Sequence, residues 1–397
     1  MNRIKVVDSL RGFSLFGILL ANLLIFQYGM HGAHYPYFYK LNAFNTALVE
    51  IVQTFIVGSF LPIFAILFGF GIVKMSESLN RRGYRIKRAL FRRGIILLTI
   101  GIIHAQYFFQ GDILYLYGSS LLLIFWMTKF RIRTYIISII VCIALLMGIG
   151  MQLPKDTLNS IDNSMGASFL TEEQYNFLKE ELKVMKTGTL EERSAFTSEF
   201  DDPFFDLDET QILIIIPLII FSTLPLFIVG MIFAKNRFFE TPNTKVKKIY
   251  IWLTPVFIII KYLSLKNSSN EFLSSISIFS MDLLAVSYMC IFIKLYHQYH
   301  HKKIFKQFEA VGKLSLTNYI LQSVFHSFIY YGSGLQRFGD SNFLLSLIIA
   351  ITFFILQLYL SSLYIKHIKI GPLEYITRVI TYWTFKPKKI NRAIVEN

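Results

Sequence analysis

Ten runs of apolar residues, each about long enough to cross a lipid bilayer, constrain this chain more than any single motif. They fall at about 9–28, 49–73, 94–110, 113–128, 134–151, 211–234, 250–265, 272–293, 314–331 and 343–365. A spanning helix needs roughly 20 apolar residues for a hydrocarbon core of about 30 Å, and shorter runs fit by tilting or local thinning. Charged residues make up 16% of the chain, against about 25% in a soluble domain. The chain is therefore read as an all-α, polytopic transmembrane helix bundle of about ten spans. It divides into an N-terminal membrane half (1–151), an acidic extracytoplasmic insertion (152–210) and a C-terminal membrane half (211–397).

The loops give the orientation. Of the 40 Lys and Arg, 30 fall on one side of the alternating spans, including eight between Lys74 and Arg93. By the positive-inside rule that side is cytoplasmic, and both termini lie there. The net charge of +15 thus belongs to membrane loops and does not indicate a nucleic-acid partner. The first apolar run lacks a small-residue cleavage site, so it is read as a retained span. Cys142 and Cys290 both fall in apolar runs, with no metal-ligand or disulfide spacing.

The insertion carries five basic and fourteen acidic residues. In it Thr171 and Gln174 have capping-box spacing ahead of a helix. It reads either as a solvated cap or as a lid over an outer entrance. After Lys369 the tail is too short to span again. With Leu373, Ile376, Ile380 and Trp383 on one face, and Glu374 and Arg378 spaced to pair, it reads as an interfacial helix. The chain shows no internal repeat of the kind transporters use.

Ionisable groups inside a membrane are costly and mark sites by default. In the third run, a helix starting at Gly94 would put His104 about 15 Å along, near mid-bilayer, and Asp112 about 12 Å further out. Asp112 can orient His104 only if a helix hairpin brings the two together; along one axis they stay apart, and a partner for His104 from another helix is the expectation. Buried and neutral, His104 suits a base or nucleophile. In the first run Asp8 and Arg11 are spaced to pair, and Asn22 returns to the same face three turns on. Arg11 either anchors the helix or reads a phosphate or carboxylate. Asp282 lies near mid-membrane. Asn318, Gln322 and His326 follow Ser315 in one polar stripe; four polar groups in line exceed what interhelical glue needs, so a cavity wall is the expectation.

These residues resemble a known family. D-x-L-R-G (Asp8, Leu10, Arg11, Gly12), L-F-G-F-G closing the second run, and G-x-x-H before G-D-I-L-x-x-Y (Gly101, His104, Gly111 to Tyr117) are similar to the YeiB family of bacterial membrane proteins. So are G-K-L-S-L-T-N-Y-x-L-Q-S (Gly312 to Ser323) and G-P-L-E-Y-x-x-R (Gly371 to Arg378). The family is a domain of unknown function. Its first spans resemble transmembrane acyltransferases such as the heparan-alpha-glucosaminide N-acetyltransferase group.

That resemblance implies an acyl group moved from cytoplasmic acetyl-CoA, as donor and not as a tightly bound cofactor, to an extracytoplasmic glycan or lipid-linked acceptor. His104 would be the base or acyl carrier, assisted by Asp112. Arg11 with Asp8 and the 74–93 loop would meet the CoA phosphates, and Asn22, Asp282, Asn318, Gln322 and His326 would contact substrate. A transporter of a small polar or anionic solute, with Asp282, His104 and His326 as relay groups, is the alternative. A non-catalytic scaffold or sensor is the third reading.

Overall fold

The computed structural model describes residues 4–150, 170–198, 203–204, 209–241, 244–267 and 270–388. Arg3, the basic tail beyond Lys388 and the insertion's residues 152–169, 199–202 and 205–208 lie outside the described residues. Every regular element among the described residues is helical. In chain order the helices are α1 (Lys5–Gly32), α2 (Ala43–Phe55), α3 (Phe60–Arg81), α4 (Ile86–Tyr107), α5 (Leu114–Ile124), α6 (Ile132–Gly150), α7 (Glu172–Thr187) and α8 (Leu190–Ser198). There follow α9 (Glu209–Lys235), α10 (Lys245–Lys266), α11 (Glu271–Tyr299), α12 (Lys303–Lys313), α13 (Ser315–Tyr330), α14 (Phe343–His367) and α15 (Pro372–Tyr382). The protein is an all-α bundle of membrane type.

Seven segments are long and apolar enough to span: Lys5–Gly32, Ala43–Arg81, Ile132–Ile149, Pro217–Lys235, Lys245–Lys266, Phe272–Tyr299 and Phe343–His367. The other three expected spans differ. α4 begins at Ile86, so its first two turns carry Lys87, Arg88, Arg92 and Arg93. α5 has 11 residues and α13 has 16, lengths of about 16 and 24 Å, short of a full crossing. The second expected span is broken at Ile56–Ser59. There Gly58 adopts φ 74°, a left-handed conformation that glycine reaches at little cost. Lys261 of α10 donates its ammonium to Val57 O and Ser59 Oγ at the break. Pro62 sits in the first turn of α3, where a missing N–H breaks no helical bond.

α1 is the axis of the bundle, buried over most of its length and touching α2, α3, α11, α12, α13, α14 and α7. A Cβ on Gly12 would meet Phe308 O at 2.1 Å, and one on Gly312 would meet Asp8 O at 1.8 Å. The backbones of α1 and α12 therefore touch, as small residues allow between membrane helices.

The insertion begins as expected: Thr171 and Gln174 form a reciprocal capping box on α7. Thr189 and Glu192 make the same exchange at the start of α8. Hydrogen bonds from the Thr189 N–H and hydroxyl hold the Glu192 carboxyl below its ordinary range.

The tail is helical (α15), but the expected Glu374–Arg378 pair does not form. Glu374 instead accepts from the N–H groups of Leu316 (2.8 Å) and Thr317 (3.1 Å) and from the Thr317 hydroxyl (2.6 Å). It thereby caps the first turn of α13, where unsatisfied donors and the helix dipole both favour an anion. Arg378 lies over the Tyr375 ring. Glu374→Ala strands those donors and is expected to cost about 1–3 kcal/mol, read as a lower melting temperature. An unchanged melting temperature would contradict this capping role.

Candidate functional site

α4 and α5 form a tight hairpin, and its turn brings His104 and Asp112 together. His104 Nδ1 lies 2.8 Å from Asp112 Oδ1, and both residues are 2% exposed. The expectation that eight residues would hold them far apart is corrected: α4 ends at Tyr107, and the chain reverses before Leu114. Asp112 Oδ1 also accepts from the Tyr319 hydroxyl of α13 at 3.0 Å. Asp112 Oδ2 accepts from the backbone N–H groups of Leu114 (2.8 Å) and Tyr115 (3.0 Å) at the start of α5.

An ionised carboxylate only accepts, so His104 Nδ1 carries the proton and Nε2 holds the lone pair. Nε2 is buried and has no hydrogen-bond partner among the described residues. A buried polar atom left unsatisfied is uncommon and asks for an explanation.

Toward the basic side, a cavity of about 550 Å³ leads to this turn. It follows α3 from Arg82 and Arg81 to Phe68 and Phe64, about 27 Å of helix. Six cations line it: Arg11, Lys74, Arg81, Arg82, Arg93 and Lys313, against two carboxylates, Asp8 and Glu374. The expected Asp8–Arg11 pair is present at 3.2 Å. Lys313 pairs with Glu309 at 2.6 Å, and Lys74 lies 3.3 Å from Glu77. Arg93 has no hydrogen bond or ion pair among the described residues. At its far end the lining turns apolar and aromatic, with Phe64, Phe68, Ile113, Leu114 and Tyr117, and Tyr319 stands between cavity and dyad. A cationic mouth and an apolar end suit a long ligand with anionic groups at one end only.

On the opposite side the insertion sits over the end of α4. Gln106 bonds Ser194, Gly332 N donates to Met185 O at 3.0 Å, and Arg193 lies 4.9 Å over the Tyr331 ring. The cleft left between them measures about 30 Å³, room for about one water.

The remaining expected site residues lie elsewhere. The polar stripe of α13 meets polar groups of α14: Asn318 donates to Ser361 Oγ (3.1 Å), Gln322 donates to Gln357 Oε1 (2.9 Å), and Gln357 donates to Asn318 O (3.1 Å). That network joins two helices and does not line the large cavity. His326 is fully buried, with Nδ1 on Gln322 O at 2.8 Å and Nε2 unpartnered. Asn22 and Asp282 are half-buried and outside the cavity.

Tyr319, Lys313 and Glu374 are site residues that the sequence reading misses, whereas Arg93 enters it only as the end of the basic 74–93 loop. Tyr319 escaped notice because a tyrosine in an apolar run reads as packing. Its place one residue after Asn318 in the G-K-L-S-L-T-N-Y stretch was the available signal.

The description "Protein of unknown function (DUF418)" matches residues 233–384. That segment contains Lys313, Tyr319 and Glu374 and leaves out His104 and Asp112. Over nearly the whole length the chain is similar to the "Uncharacterized protein YxaH" of Bacillus subtilis, 28% identical over 97% of this chain and 96% of that protein. An "Uncharacterized 39.9 kDa protein in amylase 3'region" of Bacillus acidopullulyticus is 25% identical over 96% and 94% of the two chains. The "Uncharacterized protein YeiB" of Escherichia coli is 23% identical over 96% and 97%. No solved structure matches the chain.

Proposed function

We propose that this chain, which belongs to the YeiB family of membrane proteins with a domain of unknown function, is an acyltransferase working across the membrane. Its donor is a cytoplasmic acyl-CoA, and its acceptor is an extracytoplasmic glycan or lipid-linked molecule. The observation that carries the reading is the His104–Asp112 dyad, with Nε2 unpartnered among the described residues, separated by Tyr319 from the apolar end of a cationic cavity.

The chemistry follows from those positions. CoA phosphates meet Arg81, Arg82 and Arg93 at the mouth, and the acyl thioester extends past Phe68 and Tyr117 toward the dyad. His104 Nε2 takes the proton of the acceptor hydroxyl or amine as its oxygen or nitrogen attacks the thioester carbonyl. The acyl–sulfur bond breaks, the new acyl bond forms, and the imidazolium returns the proton to the leaving thiolate. Asp112, fixed by Tyr319 and two backbone N–H groups, holds the ring and stabilises the imidazolium. The acceptor enters from the side of the insertion, which must lift from α4 to admit it.

The test is a thermal shift of detergent-purified protein with acetyl-CoA, dephosphorylated CoA and an unrelated nucleotide. A ligand at 100 times its Kd adds about 2.7 kcal/mol. A shift with acetyl-CoA that needs the phosphates and shrinks in Arg93→Gln supports the reading. No shift at millimolar acetyl-CoA overturns it in favour of solute transport through the same cavity.

A further inference from the structure

A second cationic groove lies on the basic face, away from the large cavity. It is formed where the short 3-10 turn Met127–Lys129 leads into α6, beside the end of α9, and Lys129, Phe130, Arg131, Ile132, Arg133 and Lys235 line it. All four cations are exposed, none has a carboxylate partner among the described residues, and no carboxylate lines the groove. The turn is held in place from below: buried Tyr135 donates its hydroxyl to Met127 O at 2.9 Å.

What lies beneath the groove narrows the choice of ligand. α6 packs mainly on α9 and leaves an apolar face uncovered, with Ile136 47%, Ile137 59%, Ile140 60% and Val141 49% exposed. That face begins one turn below Ile132 and continues along the helix. Trp126, 48% exposed and edge-on to Phe130 at 5.2 Å, stands where headgroup-level aromatics belong. A free phosphate would use the four cations and leave the apolar face idle. A lipid with an anionic headgroup uses both.

We infer that this groove binds the phosphate headgroup of an anionic glycerophospholipid, whose acyl chains run down the exposed face of α6. The site is independent of the dyad and of the large cavity.

The experiment titrates the full-length protein in detergent with phosphatidylglycerol, phosphatidylcholine or inorganic phosphate, read by native mass spectrometry. Phosphatidylglycerol is expected to bind well before phosphatidylcholine. Near a membrane surface each cation contributes about 1 kcal/mol. The triple variant Arg131→Gln, Arg133→Gln, Lys235→Gln should therefore bind phosphatidylglycerol about a hundredfold more weakly. The charge-preserving pair Arg131→Lys, Arg133→Lys should retain it. Equal binding of the two lipids by the unaltered protein, or retention of phosphatidylglycerol by the triple variant, overturns the site. Displacement of the lipid by equimolar inorganic phosphate assigns the groove to free phosphate and overturns the lipid reading. Loss of lipid in Arg81→Gln, Arg82→Gln places it in the large cavity and also overturns the proposal.

Discussion

Asp112→Asn is expected to remove acyl transfer about as completely as His104→Gln, although it leaves the imidazole in place. Oδ2 of Asp112 receives two backbone N–H bonds, from Leu114 and Tyr115, and only the carbonyl oxygen of an asparagine can take over that position. Its NH2 group must then face His104 Nδ1 and the Tyr319 hydroxyl. The imidazole is forced to accept at Nδ1 and to carry its proton on Nε2, where no base remains. Loss of a positioned general base costs on the order of 10²–10⁴ in rate, and both variants belong in that range. Tyr319→Phe removes one of the bonds that fix Asp112 and should cost about tenfold, since the backbone donors persist. The measurement is transfer of labelled acetyl from acetyl-CoA into envelope lipids and glycans of membranes containing each variant, with melting temperatures recorded beside it. Asp112→Asn retaining a tenth or more of the activity would falsify the tautomer argument.

The sequence made the bundle legible because membrane helices announce themselves by length and hydropathy. Where the structure departs, the cause lies in features that a sliding apolar window averages away. α4 starts inside a charged stretch because arginine and lysine stems can follow a helix while their heads reach the basic face. The break of the second span at Gly58 is not legible in the sequence, because a positive φ leaves no mark on hydropathy. At the site, His104 and Asp112 stood out because ionisable groups in apolar runs are expensive. Their contact did not, because it depends on how closely two helices approach and not on spacing along either one. The stripe of Asn318 and Gln322 reads from the sequence as a cavity wall, whereas in the structure it is interhelical glue. Deciding between them needed Gln357 and Ser361, whose positions on α14 gave no sign of facing it. Glu374 was matched to Arg378 by local spacing, whereas its actual partners are backbone donors from another helix.

Gly101→Val is expected to damage fold and site together, because the α4–α5 hairpin depends on backbone contact. A Cβ at Gly101 would lie 2.2 Å from Tyr115 N and 2.7 Å from Leu114 C, and a Cβ at Gly118 would lie 2.4 Å from Leu98 N. The obstructing atoms are backbone, which cannot rotate aside as a side chain would. Ordinary contact begins near 3.4 Å, so the helices must separate by about 1 Å, and overpacking of that kind costs roughly 1–3 kcal/mol. The same displacement acts one turn from His104, whose bond to Asp112 is 2.8 Å long. A separation of even half an ångström takes that bond beyond its usual range. Gly148, at the exposed end of α6, has nothing among the described residues within 4 Å of its Cβ, so Gly148→Ala should melt no lower than the unaltered protein. Melting curves of the two variants, with acetyl transfer measured on each, separate the cases. Gly101→Val should melt lower and lose transfer, even at temperatures where it remains folded. If it melts and reacts as the unaltered protein does, close helix approach is not what brings His104 to Asp112.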